Sequence, residues 1–225
     1  MGGVVPETVA IALAVAISPM RTSAAILVLL SDRARRAGPL YLIGFVTGIS
    51  LATLLGLLLG LSVNLDNREH PPTAVSVVIL AAGLLLLAFA AWSWQSRPKD
   101  GKTPVLPRWL RSLESLSPLM ALGLGFALSV FSFKNLGLIL VATLAIAQAD
   151  LSAVGMIVDS AVFVVVACLG VALPVGWFIL GKERSTETLS RWKEWLTLHN
   201  GWVTAASTAL GGLLLVWKGL DGLIG

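Results

Sequence analysis

Six long apolar runs, at about 4–30, 38–63, 72–94, 118–147, 153–181 and 200–222, are separated by short polar stretches. Each run reaches the roughly 17–25 residues that an α-helix needs to cross a hydrocarbon core. The pattern predicts an all-α integral membrane protein with six transmembrane helices. Two of the runs are interrupted at depth. Ser18-Pro19-Met20-Arg21 breaks the first, and Ser132-Phe133-Lys134-Asn135 breaks the fourth. Proline and unpaired amides are tolerated at that depth only where protein or a water-lined cavity satisfies the freed backbone groups. A buried cation there costs several kcal/mol unless it faces inward, is paired or is hydrated.

The six runs fall into two groups of three, residues 1–95 and 118–225, within a single membrane domain. They are joined by a linker at 96–117 in which Pro98, Gly101, Pro104 and Pro107 punctuate the chain. Three is an odd number, so the second group enters the membrane from the opposite side. A gap-free alignment at the interruptions pairs Ser18 with Ser132, Pro19 with Phe133, Met20 with Lys134 and Arg21 with Asn135. This is the pattern of an inverted-topology repeat, in which equivalent breaks meet near the bilayer centre and form a substrate site.

Charge sets the expected orientation. Arg33, Arg35 and Arg36 follow run 1, Arg97, Lys99, Lys102, Arg108 and Arg111 follow run 3, and Lys182, Arg184, Arg191 and Lys193 follow run 5. Basic residues in short loops stay on the cytoplasmic side, so both termini are expected outside. The net charge of +4 then reports topology and contact with anionic lipid heads rather than nucleic acid. No basic residue precedes Arg21, so the first run is expected to be retained rather than cleaved as a signal peptide. Two segments, 107–117 and 184–198, carry leucine and tryptophan stripes at helical spacing and read as interfacial helices in the headgroup plane. Trp92, Trp94, Trp177, Trp202 and Trp217 near run ends fit an aromatic belt.

The candidate chemistry is concentrated at the breaks. Pro19 removes a backbone donor and frees carbonyls of the preceding turn; the plainer alternative is a kink without a transport role. Arg21 either lines a cavity or snorkels to the cytoplasmic surface. Lys134 lies some 13 residues from the nearer end of its run, about 20 Å at helical rise, which is beyond snorkelling reach. It needs a partner, a cavity or a neutral form. Asn135 offers both donor and acceptor, and Ser18 and Ser132 complete the set. Asp159, the one carboxylate inside a run, has two readings: an interfacial residue just beneath the outer headgroups, or a charge-balancing partner of Lys134 or protonatable coupling group. Glycines such as Gly44 and Gly48 have the spacing that permits close helix approach, with packing as the default reading.

Other chemistry is missing from the sequence. It has no phosphate-binding glycine loop, no nucleophile with an oriented base, one cysteine (Cys168) and two histidines. No catalytic role, metal or cofactor is therefore expected.

Six apolar runs with a proline break in the first and a Lys-Asn pair in the fourth resemble the LysE exporter superfamily. Residues 16–30 (AISPMRTSAAILVLL), the following Ser31-Asp32-Arg33-Ala34-Arg35-Arg36, and residues 129–150 (SVFSFKNLGLILVATLAIAQAD) are most similar to its GAP, or Sap-like, branch. Those are the peptidoglycolipid or sulfolipid addressing proteins of mycobacteria and their relatives. The branch pattern in run 4 is Asn-Pro-Lys-Asn. Lys134 and Asn135 match it, while Ser132 and Phe133 stand where the Asn-Pro would be, so no proline enforces a break there. The resemblance implies a multi-pass inner-membrane transporter of an envelope glycolipid or its precursor. Arg21 and Lys134 would then bind the anionic headgroup, Pro19 and Asn135 would shape the break, and Asp159 would balance charge. Two other readings stay open: a small-molecule, amino-acid-like exporter of the same superfamily, and a non-transporting scaffold for a larger lipid exporter or synthase. Expected partners are an anionic envelope lipid and bulk membrane lipids, with homo-oligomerisation open and no nucleic acid.

Overall fold

A computed structural model of the chain describes residues 4–63, 73–95, 116–149, 151–181 and 185–224. Residues 107–115 of the first expected interfacial helix and the loop residues Arg68, Arg97, Lys99, Lys102, Arg108, Arg111, Lys182 and Arg184 lie outside them. The described residues form eight helices: α1 Val4–Ala16, α2 Pro19–Leu29, α3 Ala34–Val63, α4 Thr73–Gln95, α5 Pro118–Val130, α6 Phe133–Gln148, α7 Ala153–Leu180 and α8 Ser185–Ile224. Three of them, α3, α7 and α8, are long and apolar enough to cross a membrane. The number rises to five if each of the bent pairs α1–α2 and α5–α6 is one span.

Both interrupted runs are broken helices. The axes bend by 58° between α1 and α2 and by 66° between α5 and α6. The first break has an evident cause in Pro19, which has no N–H to donate and sits at the start of α2, where none is needed. The second forms with Phe133 in the corresponding place, so proline is not required for it.

Packing follows the small residues. A Cβ on Gly44 of α3 would run into the Leu122 carbonyl of α5, and one on Gly125 of α5 into the Tyr41 carbonyl of α3. The two backbones therefore approach as closely as glycine allows. Contacts from Gly44 with Leu122 to Gly60 with Ala147 rise in number together, so α3 runs parallel to α5 and α6. α1 runs parallel to α7, as Thr8 meets Asp159 and Ala16 meets Gly170. α4 and α8 are antiparallel: the Ser76 hydroxyl donates to the Gly222 carbonyl (3.1 Å) and Leu87 packs on Gly212.

The buried core gathers Ile11, Ile26, Phe45, Ile49, Leu138, Ile139 and Phe163. Large apolar side chains also cover the outside, among them Leu54, Leu55, Leu58, Leu85, Val165 and Leu173. In water, an apolar surface this extensive would drive association; in a bilayer it is the solvated face.

The segment at 184–198 departs from expectation. It is not a separate helix in the headgroup plane but the opening turns of α8, whose 40 residues extend about 60 Å at 1.5 Å per residue. No proline interrupts the sequence between Ser185 and Ile224, and Leu189 is fully buried against the bundle. Core packing thus claims one face of a stripe that by composition also suits an interface.

Candidate functional site

Ser18 and Ser132 each occupy the position before a half-helix, and their backbones are nearly superposable: φ −141°, ψ 99° at Ser18 and φ −140°, ψ 104° at Ser132. Neither side chain caps the helix that follows. The contrast with Ser117 and Ser152 is direct, since those hydroxyls accept from the Met120 and Gly155 amides at 3.2 and 3.1 Å. The first amides of α2 and α6 are thus left without a side-chain cap inside apolar spans. Such helix starts carry partial positive charge and favour an anion.

Arg21 is the third residue of α2 and Asn135 the third of α6, and they meet. With the Asn135 amide oxygen turned to the guanidinium, it accepts hydrogen bonds from Arg21. Asn135 is fully buried and Arg21 almost so. The guanidinium carbon also lies 5.4 Å from the centre of the Phe45 ring, within cation–π range. The Tyr41 hydroxyl donates to the Arg21 carbonyl at 3.1 Å, tying α3 to the start of α2. Arg21 therefore does not snorkel. Among the described residues no carboxylate pairs with it.

Lys134 reaches across to the other break. Its Nζ donates to the carbonyls of Ala14 (3.5 Å) and Ile17 (3.4 Å) and to the Ser207 hydroxyl of α8 (3.2 Å). The carbonyls freed at the end of α1 are thus served by a cation, which also suits the negative end of that helix. All three contacts are long, so the ammonium is held loosely. Here lies the physical source of the second break. A cation and an amide placed at the start of α6 gain partners on α1 and α2, which an unbroken helix 118–148 would have to point elsewhere. Backbone contact reinforces the first break: a Cβ on Gly170 of α7 would strike the Ala16 carbonyl, and the Thr22 hydroxyl lies 3.1 Å from both the Ser18 and Gly170 carbonyl oxygens.

Of the residues singled out in the sequence, Ser18, Pro19, Arg21, Ser132, Lys134 and Asn135 come together. Asp159 does not join them. It is buried, and its Oδ1 accepts from the Thr8 hydroxyl at 2.7 Å, while Oδ2 has no protein partner. Thr8 precedes Ile17 by nine residues, about 14 Å along the helix, so the expected bridge to Lys134 is not formed. Near the same end, Lys218 of α8 pairs with Glu7 of α1 at 2.7 Å.

On the α3 side of the second break is an apolar groove of about 280 Å³, lined by Leu51, Leu55 and Leu59 of α3, Val130 of α5, and Leu136 and Leu140 of α6, with Gly56 at its floor. Its origin is geometric. A continuous α3 packs through glycine on both arms of a bent pair and leaves a wedge at the bend. The leucines at its mouth are half exposed on the lipid-facing surface.

The family described as Sap, sulfolipid-1-addressing protein, matches residues 8–221. The chain belongs to this family. The match takes in both breaks, so the resemblance carried by residues 16–30 and 129–150 extends over nearly the whole of this chain. No curated protein and no solved structure matches the chain. For this Sap-family member, the contacts that sequence reasoning missed are those of Tyr41, Phe45 and Ser207 at the site and of Thr8 with Asp159 outside it. Tyr41 carried a usable signal, being the only tyrosine in the chain and set within an apolar run. The other three have side chains common in membrane spans and gave none.

Proposed function

We propose that this protein is a carrier that moves an anionic envelope glycolipid, or its precursor, across the inner membrane. The headgroup binds at the midplane, where the two broken spans meet. Six spans form two inverted halves, 1–95 and 118–225, with both termini outside. The span directions support this arrangement: α1 with α7 and α3 with α5 are both parallel pairs, as a two-fold axis in the membrane plane requires. The matched serine geometry supports it as well.

The observation that carries the reading is the Arg21–Asn135 contact with Lys134 beside it. Two cations and two uncapped helix starts converge with no carboxylate paired to them among the described residues. Such a centre selects an anion, by the same electrostatics that seat carboxylates at the broken helices of transporters. The adjacent apolar groove favours a lipid over an amino-acid-like cargo, and the family description favours a sulfated one. The chemistry proposed is binding and passage, without catalysis and without a cofactor.

The test is the lipid that stays with the protein when it is purified from its own membrane. Mass spectrometry is expected to find an anionic glycolipid on the wild type and to find it depleted on Lys134→Gln. Retention of zwitterionic lipid alone would defeat the proposal. Undiminished retention by Lys134→Gln, together with a stoichiometric partner protein, would point to the accessory scaffold instead.

A further inference from the structure

The end of α2 and the start of α3 carry a second basic centre that the midplane site does not use. Arg33 in the turn, and Arg35 and Arg36 in the first turn of α3, line a cavity of about 470 Å³ together with Asp32 and Pro118, the first residue of α5. All three arginines are exposed. Among the described residues none of them forms an ion pair, including with Asp32. The first turn of α3 contains no acidic residue.

The stability of α3 does not call for this arrangement. Cations at a helix start oppose its dipole, and three guanidiniums sharing one cavity repel one another. The neighbouring alanines, Ala34 and Ala37, are buried and supply the local packing. What the cluster offers is a concave surface with three forked donors, suited to an oxyanion held at several oxygens. Its volume lies within the roughly 300–1,000 Å³ of small-molecule sites, enough for a headgroup larger than a bare ion. It sits at the surface end of α2, and Arg21 lies at the other end of the same helix, about 12 Å below Leu29 by helical rise.

We propose that Arg33, Arg35 and Arg36 form a loading site for the sulfate or phosphate headgroup of an anionic lipid in the adjacent leaflet. From there the headgroup passes along α2 to the midplane. The passage rests on the function proposed above; the surface site does not, because it can be read by binding alone.

The experiment uses the full chain in nanodiscs of phosphatidylcholine doped with sulfatide, with native mass spectrometry counting the sulfatide retained. The triple variant Arg33→Gln/Arg35→Gln/Arg36→Gln is expected to lose one retained sulfatide, with affinity down by about tenfold or more. Lys134→Gln is expected to keep that lipid. Inorganic sulfate at matched concentration is expected not to displace it. The triple lysine variant preserves the charge that orients the chain and is expected to bind several-fold more weakly, because an ammonium lacks the fork. Equal binding by wild type and both triple variants would overturn the site and leave the arginines as orientation signals only. Displacement by free sulfate would overturn the lipid assignment. Loss of one sulfatide in the triple glutamine variant, with the count on Lys134→Gln equal to that on the wild type, would uphold the surface site while removing the midplane reading.

Discussion

Arg21 and Asn135 hydrogen-bond each other from the third position of two half-helices that begin with the same serine geometry. The gap-free alignment of the two halves pairs these same two residues. Positions equivalent under a two-fold axis touch each other only if they lie on it. The contact is therefore both the charge centre and the geometric centre of the proposed carrier. One half provides the guanidinium, and the other provides the neutral acceptor that holds it.

Asn135→Leu leaves the Arg21 guanidinium buried without its acceptor. Hydrogen bonds to charged groups contribute about 1.5–3 kcal/mol, so a loss of stability of that order is expected in thermal unfolding in detergent. Asn135→Asp is expected to do the opposite, raising stability by pairing Arg21 while weakening retention of anionic lipid, since the positive charge is then neutralised. Unchanged stability of Asn135→Leu would show that Asn135 is not the partner of Arg21.

Gly44 and Gly125 sit where α3 and α5 touch backbone to backbone. Gly44→Leu or Gly125→Leu is expected to abolish the monodisperse peak in size-exclusion chromatography. Gly123→Leu is the control, because nothing lies within 4 Å of a Cβ placed there. Similar behaviour of all three would mean that close approach of α3 and α5 is not what the glycines provide.

Thr8 and Asp159 form an isolated buried pair between α1 and α7. A double-mutant cycle with Thr8→Val and Asp159→Ala, read by thermal unfolding, is expected to give a coupling of about 1 kcal/mol or more. Additive effects would show that the hydroxyl does not serve the carboxyl group.

Topology can be read with single cysteines in a Cys168→Ala background. Asp32→Cys and Asp221→Cys are both exposed positions, placed by the proposed six-span arrangement on opposite faces. An impermeant thiol reagent added to intact cells is expected to label Asp221→Cys and spare Asp32→Cys until the membrane is opened. The reverse pattern would invert the orientation, and equal labelling would show that the two halves do not both have three spans.

Much of this was legible in the sequence because a bilayer penalises exceptions. A polar residue in an apolar run has to be satisfied, so Pro19, Arg21, Lys134 and Asn135 stand out in the sequence alone. Which partner satisfies each was not legible. Lys134 takes carbonyls of α1 rather than Asp159, because the breaks bring their own freed backbone groups closer than any carboxylate. Phe133 did not prevent the second break, since the need to seat Lys134 and Asn135 acts where proline is absent. Tyr41 and Phe45 reinforce Arg21 through a carbonyl and a ring face, contacts that leave no trace in hydropathy. The start of α8 was misread for a related reason: a leucine and tryptophan stripe suits both a headgroup plane and a protein core.

In the proposed carrier, two cations at the meeting point of the broken spans carry an anionic headgroup across the bilayer. The most direct test of this is translocation in proteoliposomes of a sulfated glycolipid against its desulfated counterpart, for the wild type and for Lys134→Gln. The wild type is expected to move the sulfated lipid and largely ignore the neutral one, with Lys134→Gln slower by about tenfold or more, the cost of one charge-assisted contact. Equal rates for the two lipids, or an unchanged rate in Lys134→Gln, would contradict it.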